Sequence, residues 1–261
     1  MLSTMTTMAS ERYFTFTYEP EGMPKGATEF EQWVTLRTQR SEDVGQENYN
    51  RWELREELEY GVTDNYTIAG YINLLQATSY KDPASGETEN ETEFKGVSLE
   101  NRYMLWNPAE HPVGVTLYFE PAYSGDEAEV EEKIIFGQRH GDWKWALNIS
   151  NETEWELNEG EYEGVFEVDF GLTRHLNPHW SVGFEFVNHN VLPSYEEWEL
   201  TAFFLGPVVT FTTEKWWASL TVLPQVWGNN VSGGPDPDGV NNLELEDHER
   251  LNVRLIFGVG F

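Results

Sequence analysis

The chain has 261 residues, and its 46 Asp and Glu against 16 Lys and Arg give a formal net charge of −30. This excess of negative charge repels the phosphates of nucleic acids, so no nucleic-acid partner is expected. Cysteine is absent, which excludes disulfide bonds, thiolate nucleophiles and cysteine-ligated metals, whereas 15 Phe, 12 Tyr, 11 Trp and 22 Gly favour strands over helices.

No run of residues approaches the ~18 consecutive apolar positions that a membrane-spanning helix needs. The mean hydropathy is −0.55, and together these two features exclude a transmembrane helix. A transmembrane β-barrel remains compatible with such a polar chain, because only every second residue of a barrel strand contacts lipid.

Alternation of apolar and polar residues, bounded by turn residues, predicts twelve strands of about the ~9–11 residues that a tilted strand needs to cross a membrane. In chain order they cover residues 28–39, 49–60, 66–78, 94–106, 112–122, 128–139, 143–150, 161–174, 180–188, 195–212, 216–227 and 249–261. The expected fold is therefore all-β.

The alternation is clearest in the last strand. One face carries Leu251, Val253, Leu255, Phe257, Val259 and Phe261. The other carries Arg250, Asn252, Arg254, Gly258 and Gly260, with Ile256 as an exception. A face this polar is expected to point towards water, whereas a β-sandwich packs its apolar face against a second sheet.

The predicted connections alternate in length. Short turns are expected at 62–65, 107–111, 140–142, 175–179 and 213–215. The other connections are 40–48, 79–93, 123–127, 151–160, 189–194 and 228–248, and most of them are longer. Short turns on one side and long loops on the other are typical of a transmembrane antiparallel barrel, here with both termini on the short-turn side.

Tryptophans cluster near the ends of the predicted strands, where amphipathic rings collect at the two membrane interfaces of a barrel. Trp33 is expected to lie deeper in the membrane. The alternative to two interface girdles is that Trp is common at strand ends in any protein. The predicted aromatic girdles contain Trp52, Trp106, Trp143, Trp180, Trp198, Trp216, Trp217 and Trp227.

The last eight residues, Arg254 to Phe261, resemble the assembly signal of Gram-negative outer-membrane β-barrels of the porin-like kind. In that signal a final aromatic residue and alternating apolar residues, here Phe257, Val259 and Phe261, are read by the insertion machinery. The match departs from the usual pattern at Ile256, where Gly is common, and at Val259, where an aromatic residue is common.

The resemblance implies an outer-membrane location and both termini in the periplasm. It also implies contacts with outer-membrane lipid, with lipopolysaccharide and, during assembly, with the barrel-insertion machinery. Residues 1–27 are predicted to form an N-terminal periplasmic extension or plug, and residues 28–261 the barrel.

The polar faces of the predicted strands are expected to line the lumen. They carry Glu29, Glu31, Arg37, Arg51, Glu53, Arg55, Glu57, Glu59, Glu100, Arg102, Glu120, Glu163, Glu167, Asp169, Glu185, Glu199, Arg250 and Arg254. In a closed barrel the first two strands and the last are neighbours, so their arginines are expected to form a basic strip that faces acidic walls.

The sequence therefore predicts a narrow passive channel for small charged or polar solutes, with a preference for cations. Two alternatives stay open: a structural or adhesive barrel whose lumen is filled by charge pairs, and a soluble β-sandwich that binds glycans. No spacing of His, Asp or Ser indicates an enzyme, and no cofactor or metal site is expected. The acidic loop around 235–247 lacks the ligand spacing of an EF-hand.

Overall fold

The computed structural model describes residues 12–40, 49–81, 85–231, 242–245 and 248–261. Within these ranges the chain contains no helix, and hence none that could span a bilayer. The strands of this part of the chain are β1 (Thr28–Thr38), β2 (Asn50–Thr63), β3 (Tyr66–Lys81), β4 (Thr88–Glu93), β5 (Val97–Trp106), β6 (Gly114–Tyr123), β7 (Glu127–His140), β8 (Trp143–Glu156), β9 (Glu161–His175), β10 (Trp180–Pro193), β11 (Leu200–Thr212), β12 (Trp216–Asn230) and β13 (Leu251–Gly260).

All strands are antiparallel and form one sheet that closes on itself. Apart from β4 and β5, which do not pair with each other, each strand pairs with its neighbour in the chain, and β1 pairs with both β2 and β13. β4 and β5 both pair with β3, on successive stretches of it, so they are two parts of one interrupted strand. The barrel therefore has twelve strands, as predicted, and the β-sandwich alternative is wrong because the strands of the described residues form one closed sheet.

Successive side chains of each strand point alternately into and out of the barrel. In β1, Glu29, Glu31, Trp33 and Thr35 are buried. The outer surface instead exposes large apolar side chains from all parts of the sheet, among them Leu58, Ile72, Leu99, Phe119, Ile134, Phe166, Phe184, Leu205, Leu220 and Phe257. A polar interior inside an apolar belt is the reverse of a water-soluble protein and is the pattern of transmembrane barrels.

The strands extend further on the long-loop side than the sequence predicted. β3 reaches Lys81 and β8 reaches Glu156, and residues 88–93, which were predicted to be loop, form β4. All six residues of β4 are exposed. The prediction was wrong there because a strand exposed on both faces carries no apolar alternation.

The strand predicted at 195–212 begins only at Leu200. Residues before it form a turn, in which Ser194 and Tyr195 have φ values of 52° and 55°. Parts of three predicted loops, at residues 41–48, 82–84, 232–241 and 246–247, lie outside the described residues, as do residues 1–11 of the predicted N-terminal extension.

The N-terminal segment, which is residues 12–23, lies inside the barrel along its inner wall. Its backbone contacts run from Ser219 on β12 to Thr67 on β3. Tyr18 of the segment packs in a cluster with lumen-facing side chains, namely Trp33, Tyr118, Ile135, Trp217 and Ile256. This cluster explains the apolar Ile256 on the inner face of β13.

Candidate functional site: the barrel lumen

The half of the lumen next to the long loops contains a cavity of about 810 Å³. We call it the vestibule. Nearly half of the residues that line it are charged, and Phe16 and Tyr18 of the N-terminal segment contribute to its lining. The vestibule therefore ends on the N-terminal segment.

One wall of the vestibule is basic and comes from β1, β2 and β13. Arg37 Nε and Arg51 Nε lie 3.1 Å and 3.0 Å from the same Glu53 Oε1. Arg55 pairs with Glu120 and lies 3.6 Å from the centroid of the Tyr71 ring. These contacts hold the guanidinium groups in place along the wall.

Arg254 completes the basic wall and also contacts the N-terminal segment. Its Nε donates to Thr35 Oγ1 at 3.0 Å, and its Nη1 donates to the carbonyl oxygen of Thr15 at 3.2 Å. Its guanidinium carbon lies 4.0 Å from the centroid of the Phe16 ring. The basic wall and the N-terminal segment are thus physically connected.

A second wall of the vestibule is acidic and comes from β7, β8 and β9. Carboxylate oxygens of Glu129, Glu152 and Glu154 all lie within 4.8 Å of one another. Glu131 pairs with Lys133 at 2.8 Å, and Glu127 pairs with Lys95 at 2.9 Å. Because walls of opposite sign line one cavity, a field crosses the vestibule.

Most of this acidic wall was missed by the sequence analysis. Glu127, Glu129, Glu131, Glu152 and Glu154 were not among the predicted lumen residues, although they alternate with outward-facing residues on β7 and β8. The available signal was the alternation with a period of two, and the adjacent acids Glu131 and Glu132 obscured it.

Polar side chains of the barrel wall hold the backbone of the N-terminal segment. Glu185 accepts hydrogen bonds from the backbone N–H groups of Thr15, Phe16 and Thr17 at 3.0, 2.8 and 2.8 Å. Asn148 bonds both backbone groups of Tyr18, accepting from its N–H at 2.7 Å and donating to its carbonyl at 2.9 Å. A segment without regular secondary structure needs such partners inside a barrel, because no strand ladder satisfies its backbone groups.

Glycines of the wall make room for the same segment. A Cβ at Gly171 would lie 2.5 Å from a ring carbon of Phe14, and one at Gly137 would lie 2.7 Å from Pro20. Any other residue would push against the segment at these positions. The wall and the segment are therefore shaped to each other.

Glu19 is a buried acid within the segment. It accepts a hydrogen bond from the backbone N–H of Tyr13 at 2.8 Å, and it lies 3.9 Å from Lys144 Nζ. Burial raises the pKa of Glu19 to about 7, although Lys144 and Arg12 offset part of that effect. The segment consequently carries a carboxyl group that titrates near neutral pH.

Below the vestibule lies a group of buried carboxylates that could hold a cation. Glu29 and Glu31 on β1 face Glu59 and Glu57 on β2 directly across the strand pair. Carboxylate oxygens of Glu29, Glu31 and Glu59 lie within 4.8 Å of one another. A third acidic group, at Glu156, Glu159 and Glu161, is exposed at the rim.

The structure places most of the predicted lumen residues on inward-facing positions. Arg37, Arg51, Glu53, Arg55, Glu120, Glu163, Glu167, Glu199 and Arg254 line the vestibule. Buried outside the vestibule lining are Glu29, Glu31, Glu57, Glu59, Glu100, Arg102, Asp169 and Glu185.

Arg250 differs from this pattern. It precedes β13, is half-buried, and is not part of the vestibule lining. The basic wall therefore contains four of the five arginines that the sequence analysis assigned to it.

Seven of the eight predicted girdle tryptophans are exposed on the protein surface, namely Trp52, Trp106, Trp143, Trp180, Trp198, Trp216 and Trp227. The assignment of Trp217 to the girdle is wrong, because this residue is fully buried and its Nε1 donates to Glu29 Oε1 at 3.1 Å. Neighbouring residues of a strand point to opposite sides, so Trp216 and Trp217 cannot both face outward.

The predicted assembly signal lies on the outer face of the closing strand. Phe257 and Phe261 are exposed, and Val259 is half-buried. The backbone N–H of Phe261 donates to the carbonyl of Thr28 at 3.0 Å, next to the seam between β13 and β1. The motif is therefore presented outward at the point where the barrel closes.

A single closed antiparallel sheet of twelve strands with an apolar outer face defines the class of the protein: it has the fold of outer-membrane β-barrels. Its sequence belongs to the family described as Family of unknown function (DUF6662), whose model matches residues 6–135 and 136–261. The comparison with curated proteins gives no match.

Solved structures with a similar fold include the COG4313 outer membrane channel from Pseudomonas putida F1. It has 11% sequence identity and a TM-score of 0.65, and the match covers 95% of this chain and 100% of that chain. A second is the NanC porin, with 12% identity, a TM-score of 0.52, and coverage of 88% of this chain and 98% of that chain. At these identities the similarity shows the fold.

Proposed function

We propose that the protein is an outer-membrane channel for small charged or polar solutes that favours cations, and that residues 12–23 act as its plug. The observation that carries this proposal is the charged vestibule, which lies at the long-loop end of the strands and ends on the N-terminal segment. The solved structures of similar fold, described as a channel and a porin, support it.

The cation preference follows from the charges of the vestibule. Its lining contains eleven Glu against seven Arg and Lys. An excess of one charge inside a low-dielectric wall concentrates ions of the opposite sign. Cations are therefore expected to outnumber anions in the passage.

The outer surface supports placement in the outer membrane. The exposed apolar belt fits lipid, and the exposed tryptophans at its edges fit the two interfaces. The proposed partners are outer-membrane lipid, lipopolysaccharide and, during assembly, the insertion machinery that reads the closing strand. Both termini are proposed to face the periplasm, the side on which such barrels carry their short turns.

Membrane residence has a direct test. The protein should be extracted only with detergent, and its folded band should migrate differently on a gel before and after boiling. A monomeric, folded preparation in detergent-free buffer would contradict it.

Selectivity is tested with the acidic wall. We expect the triple variant Glu129→Gln, Glu152→Gln, Glu154→Gln to shift the reversal potential in a KCl gradient towards anions. The matched control is Glu156→Gln, Glu159→Gln, Glu161→Gln, which removes the same charge from the exposed rim. Equal shifts in the two variants would mean that the vestibule does not set the selectivity.

The plug is tested by a reversible tether. A Cβ at Gly171 lies 2.8 Å from Phe14 Cγ, which is about the position of the Sγ of a cysteine at residue 14. The variant Phe14→Cys, Gly171→Cys should therefore form a disulfide, and the chain has no other cysteine. We expect no conductance in planar bilayers when the tether is oxidised, and recovery of wild-type currents after reduction.

The second candidate function is a structural barrel with a closed lumen. It is favoured by the packing of Tyr18 against Trp33, Tyr118, Ile135, Trp217 and Ile256 across the lower lumen. Silent bilayers after verified insertion, both for the wild type and for a variant lacking residues 12–23, would favour this function over a channel.

A further inference from the structure

We propose that the vestibule binds small zwitterions whose opposite charges lie about 6 Å apart, as they do in a dipeptide. The ammonium group of the solute faces the acidic wall, and its carboxylate faces the basic wall. The site is that of the proposed channel, on which this assignment rests. A preference for cations alone gives the basic wall no role, whereas a zwitterion uses both walls.

The two charged walls face each other across the barrel axis. The sheet order runs β2-β1-β13-β12-β11-β10-β9-β8-β7-β6-β5-β3, and the pairing of β2 with β3 closes it. Around this ring β8 lies six strands from β1 in both directions, and the same holds for β7 and β13 and for β9 and β2. The basic and the acidic wall are therefore on opposite sides of the lumen.

The two walls carry opposite net charges. In the vestibule lining, β1, β2 and β13 contribute four Arg and one Glu, whereas β7, β8 and β9 contribute seven Glu and one Lys. Glu120 on β6 and Glu249 next to β13 lower the charge of the basic wall without cancelling it. A solute with a single charge pairs with one wall only, and a dipolar solute gains from both and is oriented by the field between them.

The basic wall keeps donors for a solute carboxylate. The side chains of Arg37, Arg51 and Arg55 are 27%, 22% and 28% exposed, although each is in an ion pair. A guanidinium group has five N–H donors. Within the described residues, Glu53 and Glu249 engage only Nε and Nη1 of Arg37. The ion pairs therefore position the guanidinium groups and leave donors for charge-assisted hydrogen bonds to a carboxylate.

The acidic wall offers a close set of acceptors for an ammonium group. Carboxylate oxygens of Glu129, Glu152 and Glu154 lie within 4.8 Å of one another, and all three residues are half-buried. The nearby Lys95 and Lys133 form their ion pairs with other glutamates of the same wall. An ammonium group has three N–H donors, so it matches three converging carboxylates.

The width of the barrel sets the length of the solute. Twelve strands about 4.8 Å apart and tilted by about 40° enclose a cylinder roughly 24 Å across. Extended Arg and Glu side chains together reach about 12 Å into it, and two charge-assisted hydrogen bonds take about 2.8 Å each. About 6 Å remain for the distance between the solute charges, and an extended chain of two residues spans about 7 Å.

An amide in the basic wall suits the peptide bond of such a solute. Asn252 lines the vestibule and lies directly opposite Arg37 in the pairing of β13 with β1. It is 4% exposed, and its Oδ1 has no hydrogen-bond partner among the described residues. The barrel already holds a peptide backbone through a group of this kind, since Asn148 bonds both backbone groups of Tyr18. Asn252 offers the same chemistry to a peptide in the vestibule.

The experiment titrates the full-length protein in detergent with four peptides that differ only in their end charges. They are diglycine, N-acetyl-diglycine, diglycine amide and N-acetyl-diglycine amide. In a calorimeter, diglycine should bind at least ~10-fold more tightly than the doubly blocked peptide, because each blocked end loses a charge-assisted hydrogen bond. Free glycine should bind as weakly as the doubly blocked peptide, since its charges are too close together to reach both walls.

Variants of the two walls assign each end of the peptide. The variant Glu129→Gln, Glu152→Gln, Glu154→Gln should weaken the binding of diglycine and of diglycine amide, but not that of N-acetyl-diglycine. The variant Arg37→Gln, Arg51→Gln should weaken the binding of diglycine and of N-acetyl-diglycine, but not that of diglycine amide. The rim variant that serves as the control for selectivity should bind all four peptides as the wild type does.

Conductance separates this assignment from the channel function. In planar bilayers, diglycine should reduce the wild-type KCl current as its concentration rises, and N-acetyl-diglycine amide should not. Binding of diglycine in detergent together with silent bilayers would refute the channel and keep the binding site. Equal affinities of the wild type for all four peptides, or an affinity for diglycine that neither wall variant changes, would overturn the assignment whether or not the protein conducts.

Discussion

The strongest single anchor of the N-terminal segment is Glu185, and its replacement by Ala should release the segment from the wall. The carboxylate accepts hydrogen bonds from three successive backbone N–H groups, those of Thr15, Phe16 and Thr17. It also accepts from the hydroxyl groups of Thr15 and Thr221. All of these partners lie in the interior of the barrel.

The expected magnitude follows from those bonds. Each buried donor that loses its acceptor costs about 1–3 kcal/mol, so three backbone N–H groups together cost roughly 3–9 kcal/mol if the segment stays in place. That is comparable to the whole stability of a typical domain, about 5–15 kcal/mol. Undocking, which exposes the N–H groups to water in the lumen, is therefore the cheaper response.

Hydrogen–deuterium exchange measured by mass spectrometry on peptides that cover residues 12–23 provides the assay. In Glu185→Ala we expect these amides to lose protection by several orders of magnitude, while the strands keep theirs. Glu185→Gln is the matched control. Its loss of protection should be intermediate, because the Gln amide keeps one acceptor oxygen where the carboxylate has two. Unchanged protection of residues 15–17 in Glu185→Ala would refute the assignment of Glu185 as the anchor.

Two further predictions concern the same segment. Gly171→Val should lower the free energy of unfolding by about 1–3 kcal/mol, because the new side chain must displace Phe14. Gly70 lies on an outward-facing strand position with open space around it, so Gly70→Val should cause no such loss. Equal losses in the two variants would contradict the fitted contact. Because the pKa of Glu19 is raised to about 7, the docked segment favours the protonated acid, and its docking should weaken as the pH rises from about 5 to 8. In the wild type, the protection of residues 12–23 from hydrogen exchange should decrease as the pH rises, and in Glu19→Gln it should not depend on pH. A wild-type protection that decreases as the pH falls would contradict this prediction.

The barrel was predictable because lipid imposes a regular rule on the sequence. Wherever a strand crosses the membrane, every second residue must be apolar, and the sequence of the last strand shows this directly. β4 was missed because it is exposed on both faces and that rule does not apply to it. Trp217 was assigned to the girdle because it lies near a strand end, but its side chain is on the inward-facing side of the strand.

The interior was less predictable than the wall. Alternation identifies which side chains point inward, but it does not show which of them meet. The vestibule brings side chains of β1, β2 and β13 together with those of β7, β8 and β9, which are far apart in the chain. The N-terminal segment carries no alternating pattern of its own, since its partners are side chains of the wall, so its path could not be read from the sequence.

The contacts of the N-terminal segment also limit the order in which the protein can fold. Tyr18 bonds Asn148, 130 residues away, Thr15 bonds Glu185 at a separation of 170, and Arg254 bonds the Thr15 carbonyl at a separation of 239. Contacts this distant form late, because long loops must close first. Residues 12–23 therefore reach their final place only after the last strand has arrived, and a docked segment reports a completed barrel.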